Sequence, residues 1–364
     1  MVRNSIISHP KKYLVMGSLF LMIFGLECCS HKEAEQQNQR PTGNESQALA
    51  NWLAQNGNYI ASDEVPALIS ADELFLLRDS NVLILDLRTS EQFISGSIEG
   101  AINLPADQVA GYISSRIDPP SFSKIVFVDN RGQLSSYVAS LMRLLGYDNV
   151  FSLRFGMSSW NTVFAAEGWN KVIGNDLVGK TDFTNHPKRP KGPLWPTLNT
   201  GATQPAEIAR LRVEKLLSVE EPSFLIGYKE VLKAGDSMYL INYWPEDQYL
   251  EVGHLQGAIQ YSPRIAWQPG EDLLSLPVDQ PIVLYCYNGQ HAAHAVAYLR
   301  MLGYDARSII YGSNAFIHSA LQGERFVPAN AWGEVHQHNF PVVSGASAPA
   351  TQHSTEIKAA KGGC

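Results

Sequence analysis

The sequence predicts an α/β protein made of two copies of one domain, each a parallel sheet flanked by helices. Two observations carry this. Short apolar runs, Val82–Asp86, Ile125–Val128 and Ile282–Tyr285, alternate with stretches of helical character. Runs of that length, apolar on both faces, are the mark of buried parallel strands. Alternation with helices then gives an α/β layer architecture. The second observation is an internal repeat at a constant offset of 157 residues. Gly96-Ser97-Ile98-Glu99-Gly100-Ala101-Ile102 pairs with Gly253-His254-Leu255-Gln256-Gly257-Ala258-Ile259, and Arg143–Asp148 pairs with Arg300–Asp305. Gly132-Gln133 pairs with Gly289-Gln290 at the same distance. Register held over such a span indicates duplication.

Length and composition agree. The 364 residues suffice for about two domains, and 45% hydrophobic content supports real cores. A net charge of −7 argues against nucleic acid as a partner. The four cysteines are too few and too scattered for a disulfide framework. The ten histidines are not grouped at ligand spacing, and neither a metal nor a cofactor is expected.

In chain order, residues 1–29 read as a signal segment. Arg3, Lys11 and Lys12 precede an apolar stretch from Tyr13 to Leu26, which is short for a spanning helix. Leu26-Glu27-Cys28-Cys29 resembles a bacterial lipobox, which implies lipidation of Cys29, although Glu27 departs from the small residue usual there. An ordinary cleaved signal and an uncleaved anchor are the alternatives. The expected location is the cell envelope of a bacterium, lipid-anchored and facing the periplasm or the outside. Residues 30–64 are expected to form a tether and an N-terminal helix, with Ser30–Gln47 flexible.

The first copy is placed at 65–175. Ser70-Ala71-Asp72-Glu73 has capping-box spacing and opens a helix to about Leu77. Strands are expected at 82–86, 125–128 and 150–153, with helices over Ser135–Leu145 and after Gly156. Residues 176–216 form a linker with Pro187, Pro190, Pro193 and Pro196 among Lys188, Arg189 and Lys191. The second copy is placed at 217–326, with a helix from about Ala292 to Leu302, and 327–364 is expected to be a flexible tail ending in Cys364.

The chemistry is expected after the strand Ile282–Tyr285, in Cys286-Tyr287-Asn288-Gly289-Gln290-His291. A strand–loop–helix turn aims successive N–H groups at one point, which should ease loss of the thiol proton. The bland alternative is a buried, inert cysteine. This loop resembles the active-site loop of the rhodanese family, six residues long in the sulfur-handling members. The related phosphatase branch has one residue more and a closing arginine, and here the loop holds His291 and no arginine. Asp86, Arg88, Glu91, Phe93, Gly96, Gly100, Ala101, Asn103 and Pro105 of the first copy fall where that family's first motif has such residues. In the second copy that motif is degraded to Asn242-Tyr243-Trp244-Pro245.

The resemblance implies two rhodanese-like domains and a sulfurtransferase in which Cys286 carries a persulfide. The N–H groups from Tyr287 to Ala292 would hold its terminal sulfur. Tyr287, Asn288, Gln290 and His291 are expected around the mouth, with Gly289 allowing close backbone approach. His291 is read either as a positive charge or as a hydrogen-bond donor only. Expected partners are a small sulfur-containing anion as donor, a thiophilic acceptor, and a membrane through the lipid anchor. The rival is a non-catalytic, membrane-tethered sulfide or polysulfide binder, or an accessory of a respiratory complex. In the first copy Asp129 stands at the cysteine position. A carboxylate cannot accept sulfur, so that copy is expected to be silent.

Overall fold

The computed structural model describes residues 44–345, apart from 79, 219–222, 269 and 323–329. The signal segment, Cys29 and Cys364 lie outside the described residues. Among the described residues, ten strands form two parallel five-stranded sheets. The first contains β1 (Leu68–Ile69), β2 (Val82–Asp86), β3 (Ile102–Asn103), β4 (Lys124–Val128) and β5 (Val150–Leu153), in the order β1-β5-β4-β2-β3. The second contains β6 (Leu225–Ile226), β7 (Tyr239–Asn242), β8 (Ile259–Gln260), β9 (Ile282–Tyr285) and β10 (Ala306–Ile309), in the order β6-β10-β9-β7-β8. The topologies are identical, as the repeat predicts.

Local chemistry explains the elements. The central strands β4 and β9 are apolar and buried on both faces. Ser70 Oγ accepts the Glu73 N–H at 3.1 Å and starts the helix Ala71–Leu77. Each central strand feeds a loop and then a long helix, Gln133–Leu144 in the first domain and Gln290–Met301 in the second. Both helices begin two residues earlier than expected. Each is almost wholly buried, because the two pack against one another between the sheets. Across that contact Ser140 Oγ donates to the His294 carbonyl at 3.0 Å.

Three expectations about the connecting segments are corrected. Glu45–Gln47 is not tether but the first turn of the helix Glu45–Gln55, capped by Asn44. The end of the supposed linker, Pro205–Leu217, is a helix that buries Ile208, Ala209, Val213, Leu216 and Leu217. Much of the supposed flexible tail is a packed strap across the first domain. Ser97 and Val343 exchange two backbone hydrogen bonds at 2.9 Å, Phe340 stacks on Phe75 with ring centroids 4.1 Å apart, and Trp332 is buried against Phe155 and Trp169. The signal available for the strap was its aromatic content.

The N-terminal segment docks the other way. Ser46 Oγ donates to the Leu302 carbonyl at 2.6 Å, Tyr59 Oη lies 2.9 Å from His294 Nδ1, and Asp63 pairs with Arg264 at 2.7 Å. The linker's basic cluster is engaged as well, since Lys188 pairs with Asp272 at 2.6 Å and Lys191 donates to the Gly270 carbonyl.

Candidate active site

Cys286 follows β9 directly and opens the loop. Gly289 adopts φ 81°, the left-handed conformation the turn needs, and Gln290 starts the helix. Behind the loop the turn after β10 closes in. Ser313 N–H donates to the Cys286 carbonyl at 2.9 Å, and Asn314 N–H and Nδ2 donate to the Tyr287 carbonyl at 3.1 and 2.7 Å. A Cβ on Gly312 would lie 2.4 Å from the Cys286 carbonyl oxygen, so only glycine allows this approach.

The loop therefore aims its amides at sulfur. Ala292 N–H donates to Cys286 Sγ at 3.4 Å, and the N–H groups of Gly289, Asn288 and His291 also favour the thiolate. The thiol is 3.9 Å from Asn288 Oδ1, which also accepts the Gln290 N–H at 3.0 Å. The expectation of an easily ionised thiol is nonetheless corrected. Cys286 is 1% exposed, and burial raises its pKa more than the amides lower it. As the site stands, the thiol is covered and protonated.

Aromatic side chains pack around the loop. Tyr287 stacks on Trp244 with ring centroids 4.7 Å apart, and its hydroxyl bonds Gln248 Oε1. His291 stands edge-on to Tyr243 at 4.9 Å, and Tyr243 stacks on Trp267. Tyr243, Trp244 and Trp267 are buried, while Tyr287 and His291 are half-buried and form the outer surface of the loop. Burial drives the His291 pKa down to about 3, with Arg264 adding to the fall, and its Nε2 has no partner. The imidazole is neutral, which removes the positive-charge alternative. Reading Asn242-Tyr243-Trp244 as a decayed motif missed this wall.

Gln290 is also not where it was expected. Its side chain is fully buried and turned away from the mouth into the first domain. Oε1 accepts the Phe155 N–H at 2.8 Å, and Nε2 donates to the Gly132 carbonyl and Ser136 Oγ, both at 3.0 Å. Gln133 does the reverse: its Oε1 accepts the Tyr311 N–H at 2.8 Å and its Nε2 donates to the Ile309 carbonyl at 3.1 Å. Phe155 and Tyr311 have φ 61° and 63°, costly for aromatic residues. Each domain thus pins a strained residue in the turn that backs the other's loop. The repeated Gly-Gln pair was visible in sequence, but its exchange was not.

In the first domain Asp129 occupies the thiol's place. Its Oδ1 accepts the Gly132 N–H and Ser135 Oγ, both at 2.7 Å, and its Oδ2 accepts the Arg131 and Leu134 N–H groups at 3.4 and 3.3 Å. The loop's amides are spent on its own carboxylate. Beside it, Arg88 forms a buried bidentate pair with Asp86, and a cavity of about 640 Å³ opens between this loop and Phe224.

His254 is buried and stacks on Tyr249 at 3.8 Å, a structural role. His294 is likewise buried in packing. His338 lies 2.9 Å from Asp72, and no metal-holding cluster occurs among the described residues.

Comparison with known proteins fits this architecture. The rhodanese-like domain pattern matches residues 70–162 and 228–319, about half of the chain. The thiosulfate sulfurtransferase GlpE of Shewanella oneidensis is 32% identical over 95 residues, covering 26% of this chain and 90% of that protein. The adenylyltransferase and sulfurtransferase UBA4 of Meyerozyma guilliermondii is 32% identical over 97 residues, covering 25% of this chain and only 23% of its own length. Among solved structures, thiosulfate sulfurtransferase from Pseudomonas aeruginosa is 18% identical, with 79% of this chain and 48% of that chain covered and a TM-score of 0.28. By the match of both its repeats, the chain belongs to the rhodanese-like domain family.

Proposed function

We propose that the second domain is a sulfurtransferase in which Cys286 carries sulfane sulfur from a donor to a thiophilic acceptor. The observation that carries this is the set of loop N–H groups directed at Cys286 Sγ, in the one domain that has sulfur there instead of a carboxylate. The thiolate attacks the donor's outer sulfur, a new S–S bond forms, and the donor's leaving group departs with the old bond's electrons. The persulfide's terminal anion then lies among preorganised amides, as an oxyanion does in its hole. Attack by the acceptor on that sulfur returns the thiolate. Since the resting thiol is covered, the cycle begins with outward movement of Tyr287, the half-buried residue next to it.

Peptide mass spectrometry after donor treatment tests this. The Cys286 peptide should gain one sulfur, and Cys286→Ser should lose both the gain and turnover. A non-catalytic binding module is the second reading, favoured by the 1% exposure of the thiol. It predicts no loading with any donor.

We further propose that the chain is exported and held at the bacterial envelope by lipid on Cys29, on the strength of the basic and apolar N-terminal residues and Leu26–Cys29. Palmitate labelling lost in Cys29→Ala is the expected result, and labelling that persists in this variant would exclude it.

A further inference from the structure

The two loops differ in more than their first residue. Backbone pairing aligns Asp86 of β2 with Asn242 of β7, since Asp86 sits opposite Asn103 and Asn242 opposite Gln260. Two residues on, Arg88 in the first domain corresponds to Trp244 in the second. The Asp86–Arg88 ion pair has become an amide and an indole.

The surroundings of Cys286 carry the same signature. The loop contains no lysine or arginine, and its histidine is neutral. The amides beside the sulfur are backbone groups. Arg264 is the cation whose field reaches His291, and its guanidinium is already engaged by Asp63 at 2.7 Å and the Val65 carbonyl at 3.2 Å. Asp247 adds a negative field at Tyr287. A small dianion entering here would shed its water, and among the described residues the cation whose field reaches the loop, Arg264, is already engaged. An aromatic body would find the opposite. The face of Trp244 is already covered by a ring, that of Tyr287, which is the half-buried residue that must move to uncover the thiol. Its departure exposes a stacking surface beside the sulfur.

We infer that the donor for Cys286 is a sulfane-sulfur carrier of low charge with an aromatic or apolar body, which takes the place of Tyr287 on Trp244, and not a small sulfur oxyanion such as thiosulfate. This rests on the sulfur-transfer reading above and specifies its substrate class. Benzenethiosulfonate and thiosulfate form a matched pair of probes, because one oxyanion of thiosulfate is replaced by a phenyl ring. In the aryl case the Cys286 thiol gives its proton to solvent and its sulfur forms a bond to the outer sulfur of the donor. The bond from that sulfur to the sulfonyl group breaks, and benzenesulfinate leaves with the electron pair. The products are the persulfide anion, the sulfinate and one proton, and no external oxidant or reductant is needed.

The experiment follows one-sulfur loading of the Cys286 peptide of the full chain over time with each probe. Loading by benzenethiosulfonate should exceed that by thiosulfate by about tenfold or more, the range of one stacked, buried ring. Trp244→Arg with Asn242 kept supplies an arginine without the carboxylate partner that Arg88 has in Asp86, and should shift preference toward thiosulfate. Trp244→Leu keeps the wall apolar and should slow the aryl probe without helping thiosulfate. Thiosulfate loading the unaltered protein as fast as the aryl probe would overturn the inference and leave the sulfur-transfer reading intact. Loading by neither probe would overturn both.

Discussion

The loop after β4 and the loop after β9 have the same backbone and opposite electrostatic solutions. In the first, four donors converge on a carboxylate, a buried arginine pair stands alongside, and a cavity opens to solvent. In the second, the donors face a buried thiol in a loop packed with aromatic rings, with no lysine or arginine in the loop itself. The domain that keeps the ion pair has lost the nucleophile, and the domain that keeps the nucleophile has lost the ion pair. A turn of backbone amides can serve either as an internal brace or as a chemical site, and the residue at its first position decides which.

The largest test of this contrast is Asp129→Cys. It places a thiol beneath the same amides, next to an open cavity, and its alkylation by iodoacetamide should outpace that of Cys286 by about tenfold or more. Equal rates would mean that the aromatic cover does not set the reactivity of Cys286. The cost should be about 2–3 kcal/mol of stability, from donors left unpaired where a carboxylate was.

Next comes the glutamine exchange. Gln133→Ala leaves the Tyr311 N–H without its partner and the Ile309 carbonyl with only the Gly312 N–H, a loss of about 2 kcal/mol in urea unfolding. Gly289→Ala should be costly for a related reason, because its Cβ would lie 2.2 Å from Gln133 Nε2. In the Gln133→Ala background that clash is gone, so the two losses should add to less than their sum by about 1 kcal/mol or more. Strict additivity would contradict the close approach.

Read one pH unit at a time, the smallest effect is the titration response. The His291 pKa falls from 6.5 to about 3 on folding, and that of buried His294 also falls well below its ordinary value. Between these limits the unfolded chain takes up protons that the folded protein refuses. Stability is therefore full above pH 6.5 and declines as pH drops toward 3, by at most ~1.4 kcal/mol per pH unit for one histidine. His291→Asn should make this decline shallower.

Much of this was readable before the coordinates. Apolar runs located β2, β4, β5 and β9 because parallel strands are buried on both faces, and the constant offset located their partners. Subtracting it from Cys286 gave Asp129, hence the contrast between the loops. What escaped is what one domain does to the other. Gln290 follows a glycine in a loop, so as a polar residue it reads as lining a mouth, and only the packing of two long helices turns it inward. The sulfur's ionisation was misjudged for a similar reason. Loop amides are local and visible in sequence, whereas the burial that outweighs them comes from packing brought together in the fold, in a core that includes Tyr243, Trp244 and Trp267, more than fifteen residues away along the chain.

The ends of the described chain cross. Residues 44–63 lie mainly against the second domain and the strap 330–345 against the first. A protease that nicked the proline-rich connection would sever one covalent link and leave each half still clasped by a segment belonging to the other. The duplicated halves have become hostages to one another, and neither could be inherited alone without leaving part of its own surface behind.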